Sequence, residues 1–143
     1  MENELNEIFA SISPTLLKFA EKHNLRADKY WHNFPSWRFS FKHPSGGLAS
    51  IEVMAESNDF LKIYGYWWID DFDSGSRYSK RYESELIQPN NIFPMLENVF
   101  ILVVNWDINS WSETTHGFKE SWSKTFSKDQ FLKLNDKYPT PLL

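Results

Sequence analysis

The sequence predicts an α+β fold, in which helices pack mainly on one face of an antiparallel sheet. A helical hydrophobic period opens the chain, a two-residue period runs through its middle, and a segment that is apolar nearly all round follows. We expect a meander of about four strands, with an N-terminal, a central and a C-terminal helix. Residues 1–143 are expected to form a single domain, since a chain of that length can bury a substantial core.

Near the N-terminus, apolar residues recur at steps of three and four, which places them on one face of a helix. Ser13 and Pro14 interrupt this pattern as an N-cap and a first helical residue would. The sequence therefore predicts two helices, over residues 3–12 and 14–23, with an end near Asn24. A single kinked helix is the alternative. The apolar face comprises Leu5, Ile8, Phe9, Ile12, Leu16, Phe19 and Ala20.

Residues 36–70 alternate between apolar and polar side chains over three segments, which predicts three successive strands. Turn residues at 44–47 and 56–59 separate the segments. Gly65 leaves a gap on the core side, where a bulge, a bend or a neighbouring backbone could sit. The side chains expected on the core side are Trp37, Phe39, Phe41, Ile51, Val53, Ile63 and Trp67.

Residues 76–88 are expected to form the fourth strand, although helical spacing would instead pair Tyr78 with Tyr82. Residues 92–106 follow helical spacing and predict a buried helix, while residues 99–104 are also compatible with a core strand. No regular pattern covers residues 109–125. A last short helix is predicted from Ser127 to about Tyr138.

The bulk composition excludes several classes of protein. The chain has no Cys, which rules out disulfide frameworks, Cys-ligated zinc and a thiol nucleophile. A net charge of -4 disfavours a sequence-independent nucleic-acid binder. The first residues are acidic and unlike a secretory signal, and the longest apolar run, residues 99–104, is too short to span a bilayer. We expect a cytosolic protein with no membrane partner.

Three aspartates follow the third strand, where carboxylates can hold a hard cation or act as acid and base. The spacing does not fit a calcium loop, because Gly75 occupies the fifth position and Tyr82 the twelfth. Asp71 and Asp73 remain the only candidate metal ligands, for magnesium. A solvated hairpin tip explains them more simply, as aspartates are common in turns. The aspartates are Asp70, Asp71 and Asp73.

Four histidines offer candidate bases, and His116 lies in the irregular segment where functional residues concentrate. No metal-binding His array, nucleophile elbow or phosphate-binding glycine loop accompanies them. His43 next to Pro44 suggests turn chemistry, and His23 suits a helix C-terminus. The sequence therefore predicts no catalytic residue and no cofactor.

The strongest functional signal is an aromatic sheet face opposite the predicted core, because 17% of the residues are aromatic and one strand carries them on both sides. Cross-strand packing explains such a face as well as a binding platform does. We predict a non-enzymatic protein-binding module of the adaptor, chaperone or immunity kind, whose partner is another protein or a second copy. The predicted binding residues are Lys62, Tyr64, Tyr66, Trp68, Arg38 and Lys42.

The alternative hypothesis is a binder of a small molecule or carbohydrate, or a hydrolase acting on one. Trp67 or Trp68 would then form a stacking wall, and the aspartates at 70–73 would supply polar contacts. Single-stranded nucleic acid could also stack on such a face, but the basic residues would have to line up against an acidic background.

Overall fold

A computed structural model describes residues 2–31, 35–57, 59–71 and 76–106. Within these ranges, two α-helices and one five-stranded antiparallel sheet form an α+β fold. The strands lie side by side in chain order, as a meander. The elements are α1 (Glu2–His23), β1 (Arg26–Trp31), β2 (Pro35–Lys42), β3 (Leu48–Ala55), β4 (Leu61–Asp71), β5 (Ser76–Glu83), a short 3-10 helix (Pro89–Asn91) and α2 (Ile92–Val104).

Strand β1 is the strand that the sequence does not predict. Ala27 packs against the core, and Asp and Lys, which occupy the next two positions, are uncommon in strands. Pairing with β2 determines its structure, since Ala27 lies opposite Phe39 and Lys29 lies opposite Trp37. The Lys29 ammonium sits 4.8 Å from the centre of the Trp37 ring. The prediction of about four strands is therefore corrected to five within the described residues.

The predicted break at Pro14 is wrong, because α1 is one continuous helix. Ser13 is not an N-cap. Its hydroxyl donates instead to the Phe9 carbonyl at 2.6 Å, one turn back in the same helix. Phe9 and Leu16, on either side of the proline, are both buried in one core, so packing against the sheet holds the two halves together.

The end of α1 agrees with the prediction near Asn24. Asn24 has a φ of 54°, the left-handed conformation that commonly terminates a helix. The Leu25 N–H donates to the Ala20 carbonyl at 2.8 Å and the Asn24 N–H to the Glu21 carbonyl at 3.3 Å, which is the hydrogen-bond pattern of a Schellman motif. This cap turns the chain directly into β1.

The predicted core side of the sheet is confirmed. Both helices pack on this side and share a single hydrophobic core with it. The strand interpretation of residues 76–88 is confirmed for Ser76–Glu83, which form β5, whereas beyond it Ile87 makes only an isolated bridge with Leu61. Helix α2 confirms the helical interpretation of residues 99–104. The predicted C-terminal helix and residues 109–125 lie outside the described residues. The buried side chains of the strands include Trp37, Phe39, Phe41, Ile51, Val53, Ile63, Trp67 and Tyr82.

The C-terminal end of α1 contacts the middle of α2 through Glu97. Its carboxylate accepts a hydrogen bond from His23 at 2.9 Å and pairs with Lys22 at 3.1 Å. Burial alone would raise the pKa of Glu97, but these two partners reverse the effect and lower it. Glu97 is therefore held ionised and ties α1 to α2.

Helix α2 crosses β4 very closely at Gly65, the residue that leaves a gap in the predicted core side. A Cβ atom added at Gly65 would come within 2.7 Å of the Val103 Cγ2 atom and 3.5 Å of the Val99 Cγ1 atom. The side chains of α2 therefore fill the gap, rather than a bulge or a neighbouring backbone.

We expect Gly65→Ala to destabilise the fold by about 1–3 kcal/mol, because the added methyl group overpacks the contact between β4 and α2. Val103→Ala should lower stability by itself through the cavity that it leaves. The double variant should lose less than the sum of the two single losses, since removing Cγ2 makes room for the new methyl group. Urea unfolding of all four proteins measures this coupling, and strictly additive losses would contradict the proposed contact.

Candidate functional site

The second face of the sheet, which we call the outer face, points away from both helices. It is formed by the residues that alternate with the core-facing residues along each strand. The register between strands aligns these outer residues in rows. One such row runs across the sheet through Ser40, Ser50, Tyr66 and Arg81. From β2 to β5, the outer-face residues with described side chains are Ser36, Arg38, Ser40, Lys42, Leu48, Ser50, Glu52, Met54, Lys62, Tyr64, Tyr66, Trp68, Ser79, Arg81 and Glu83.

All six predicted binding residues lie on the outer face, as the alternation requires. They are not equally accessible. Lys42 is exposed, and Arg38, Lys62, Tyr66 and Trp68 are partly exposed. The expectation that Tyr64 is open to a partner is corrected, because only 8% of this residue is exposed.

Neighbours on the same face account for the burial of Tyr64. The Tyr66 ring lies nearly parallel to it, with 6.3 Å between ring centres, and the Arg81 guanidinium lies 5.5 Å from its centre. Its hydroxyl donates to Glu56 at 3.2 Å. Tyr64 therefore supports the face by cross-strand packing, and among the described side chains Tyr66 and Trp68 are the aromatic ones that the face exposes to solvent.

Two glutamates organise the basic side chains of the outer face. Arg38 donates to the Glu52 carboxylate at 3.0 Å. Glu83 lies 3.7 Å from the Lys62 ammonium and 3.6 Å from the Arg81 guanidinium. Because both glutamates are partly or fully withdrawn from solvent, these pairs orient the cations more firmly than fully exposed ion pairs would.

A shallow cleft of about 350 Å³ opens in the outer face. It exists because serines stand among large side chains, so the layer of side chains is locally thin. Ser50, which is itself buried, is one of these serines. The cleft is lined by Arg38, Ser50, Tyr66, Trp68 and Ser79.

The cleft combines an aromatic surface with hydrogen-bonding groups. Burial raises the pKa of the Tyr66 phenol, and the nearby Glu52 carboxylate raises it further. Tyr66 is therefore a neutral phenol at physiological pH and can donate a hydrogen bond as well as accept one. Together with the Arg38 guanidinium and two serine hydroxyls, it makes the cleft suited to planar, apolar or anionic groups.

We found no match to a protein-family model, to a curated protein or to a solved structure. The chemistry of the outer face is therefore the basis for inferring function.

Of the two candidate metal ligands, Asp71 lies within the described residues. Strand β4 extends through Asp71, which pairs with Ser76, so Asp71 ends the strand rather than sitting in the loop. Asp73 lies outside the described residues. No group of three or more His, Asp or Glu side chains that could hold a metal occurs in the described part of the chain.

No helix described by the structure is both long and apolar enough to cross a bilayer.

The described histidines have structural contacts. His23 bonds Glu97, as above, while His32 and His116 lie outside the described residues. His43 is buried and stacks on Trp67 with 3.9 Å between ring centres. Its Nε2 atom lies 2.7 Å from the Val103 carbonyl, and its Nδ1 atom accepts a hydrogen bond from the Ser45 N–H at 3.0 Å. The neutral ring with hydrogen on Nε2 satisfies both contacts and links the β2–β3 turn to the end of α2.

The alternation in the sequence placed Arg38, Tyr66 and Trp68 on this face but did not identify a cleft. The signal was the placement of serines beside large side chains of the neighbouring strands. Using it requires the register between β3, β4 and β5, which pairs Ser50 with Tyr66 and Trp68 with Ser79.

Acid should destabilise the protein through His43, because burial lowers the pKa of this residue from 6.5 to about 4. As the pH falls below 6.5, the unfolded chain binds a proton that the folded protein does not, so the stability that is complete above 6.5 is lost progressively toward pH 4. His43→Leu should lack this component. The stability difference between wild type and His43→Leu should therefore shift by about 2 kcal/mol between pH 7 and pH 5. Urea unfolding at both pH values measures it, and an identical pH response in the two proteins would show that His43 is not the group responsible.

Proposed function

We propose that this protein is a non-enzymatic binding module that recognises another protein through the outer face. The main support for this proposal is that Tyr66 and Trp68 are partly exposed and line a cleft together with Arg38. Trp, Tyr and Arg are the residues that most often dominate the energy of protein interfaces.

The arrangement of the core supports this proposal. Both helices bury the opposite face, where Trp67 is fully enclosed and its Nε1–H donates to the Gly46 carbonyl at 2.7 Å. Trp68, its neighbour in β4, points the other way and retains exposed surface. The two adjacent tryptophans thus have different environments, and only Trp67 is part of the hydrophobic core.

A small-molecule or carbohydrate binder is the second candidate, and the volume of the cleft favours it. About 350 Å³ falls in the range of small-ligand pockets. Trp68 would serve as the stacking wall, with Arg38 and the two serines as polar contacts. Trp67, the other tryptophan considered from the sequence, is enclosed in the core and cannot take that role.

The paired tryptophans provide a direct test. We expect Trp68→Ala and Tyr66→Ala to remain folded and to lose a binding partner, each at a cost of about 2 kcal/mol or more. Trp67→Ala should instead destabilise the protein by about 3–5 kcal/mol, through lost burial and a residual cavity. Thermal unfolding gives the stabilities, and affinity capture from the native host with quantitative mass spectrometry gives the partners. Analytical ultracentrifugation reports whether the partner is a second copy.

Two results would contradict the binding proposal. If Trp68→Ala unfolded the protein as severely as Trp67→Ala, the outer face would have a structural role. If wild type and Trp68→Ala captured the same proteins equally, the face would not be the interface. Titration of the tryptophan indole signals with maltotriose and with benzoate tests the second candidate, because a saturable shift confined to wild type and absent from Trp68→Ala would favour it.

A further inference from the structure

The charges that the outer face presents to solvent are predominantly positive. Its basic side chains are accessible, with Arg38 40% and Arg81 49% exposed and Lys42 exposed as well. Of its described acidic side chains from β2 to β5, Glu52 is only 8% and Glu83 only 16% exposed, whereas Asp28 of β1 is 35% exposed and pairs with Arg26. From β2 to β5, an approaching molecule therefore meets mainly cations.

Lys42 is the most available of these cations. Within the described part of the chain its ammonium forms no ion pair. Lys42 shares a row with Leu48 and Trp68, so the charge lies on the same side of the sheet as the aromatic cleft. A positive group and an apolar surface are thus adjacent on the outer face.

This face contrasts with the chain as a whole, whose net charge is -4. Among the described side chains from β2 to β5, the outer face carries Arg38, Lys42, Lys62 and Arg81 against Glu52 and Glu83, and exposed Glu56 lies at its rim. A positive region on an acidic protein orients an acidic partner, because the remaining surface repels it.

We infer that the outer face binds an acidic segment of a partner protein, in which successive carboxylate side chains meet Lys42 and Arg38 and a neighbouring aromatic or aliphatic side chain enters the cleft beside Trp68. This inference rests on the proposed function and specifies the chemistry of the partner. The carboxylate provides orientation and charge complementarity, and the apolar residue provides most of the binding energy.

A protein segment fits this surface better than a nucleic acid does. Continuous phosphates need a run of basic residues along their path, whereas here Glu52 and Glu83 lie between the basic side chains. A second copy of this acidic chain could also supply carboxylates, and sedimentation of the isolated protein distinguishes that case.

The test uses a fluorescently labelled random copolymer of glutamate and tyrosine, with binding followed by anisotropy. Lys42→Glu should weaken binding about tenfold or more, because it places like charges opposite one another. Lys18→Glu is the matched control, since it makes the same charge change at an exposed lysine of α1, on the other side of the sheet. The control should bind within about twofold of wild type, and binding should weaken as salt is added.

The contribution of aromatic contacts to binding is tested separately. Trp68→Ala should weaken binding of the copolymer, and polyglutamate, which has charge without rings, should bind wild type less tightly than the copolymer does. Equal effects of Lys42→Glu and Lys18→Glu, or no binding of the copolymer by wild type, would overturn the inference. Tighter binding of oligodeoxythymidylate than of the copolymer would also overturn it, in favour of nucleic acid.

Failure of the acidic-segment inference can be distinguished from failure of the proposed binding function. Loss of cellular partners by Trp68→Ala, together with no binding of the copolymer, would remove the acidic-segment inference and leave the binding module in place. Equal capture of cellular partners by wild type and Trp68→Ala would remove the binding module itself. Sedimentation of the wild type as a dimer that Lys42→Glu dissociates would replace the foreign partner with a second copy.

Discussion

Helix α2 lies so close to strand β4 that the absence of a side chain at Gly65 is what allows Val99 and Val103 to reach the sheet. The same approach brings the Val103 carbonyl to His43 and encloses Trp67, on which the His43 ring stacks. The β2–β3 turn is joined to this region through the bond from Trp67 to Gly46. One helix–strand contact thus lies at the centre of the core side of the sheet and is linked by hydrogen bonds to the β2–β3 turn.

Both helices pack on the same side of the sheet, so the residues on the opposite side are not part of the core that the helices share with the sheet. Adjacent residues of β4 can therefore have different roles. Trp67 has no exposed surface and contributes to folding, whereas Trp68 on the next position retains exposed surface beside a cleft. The two-residue period of a strand makes this division possible without any change in the backbone.

On the outer face from β2 to β5, Glu52 and Glu83 are less exposed to solvent than the basic side chains that they contact. Glu52 and Glu83 compensate the charges of Arg38, Lys62 and Arg81 from positions close to the sheet, which orders the long side chains. Ordered side chains lose less conformational entropy when a partner binds. Its own ion pairs therefore order the face, which supports the proposed partner of opposite charge.

The sequence by itself determined the fold class, the three central strands and the side of the sheet on which each of their residues lies. Alternation is a local property, and it is decisive when apolar residues such as Phe39, Ile51 and Ile63 must all be buried together. Only the tertiary structure decided the rest. Strand β1 has little apolar pattern of its own and depends on pairing with β2, and α1 continues through Pro14 because the core holds both halves. The cleft likewise depends on which residues of neighbouring strands lie side by side. The register places Ser50 next to Tyr66, and no local sequence pattern specifies that pairing.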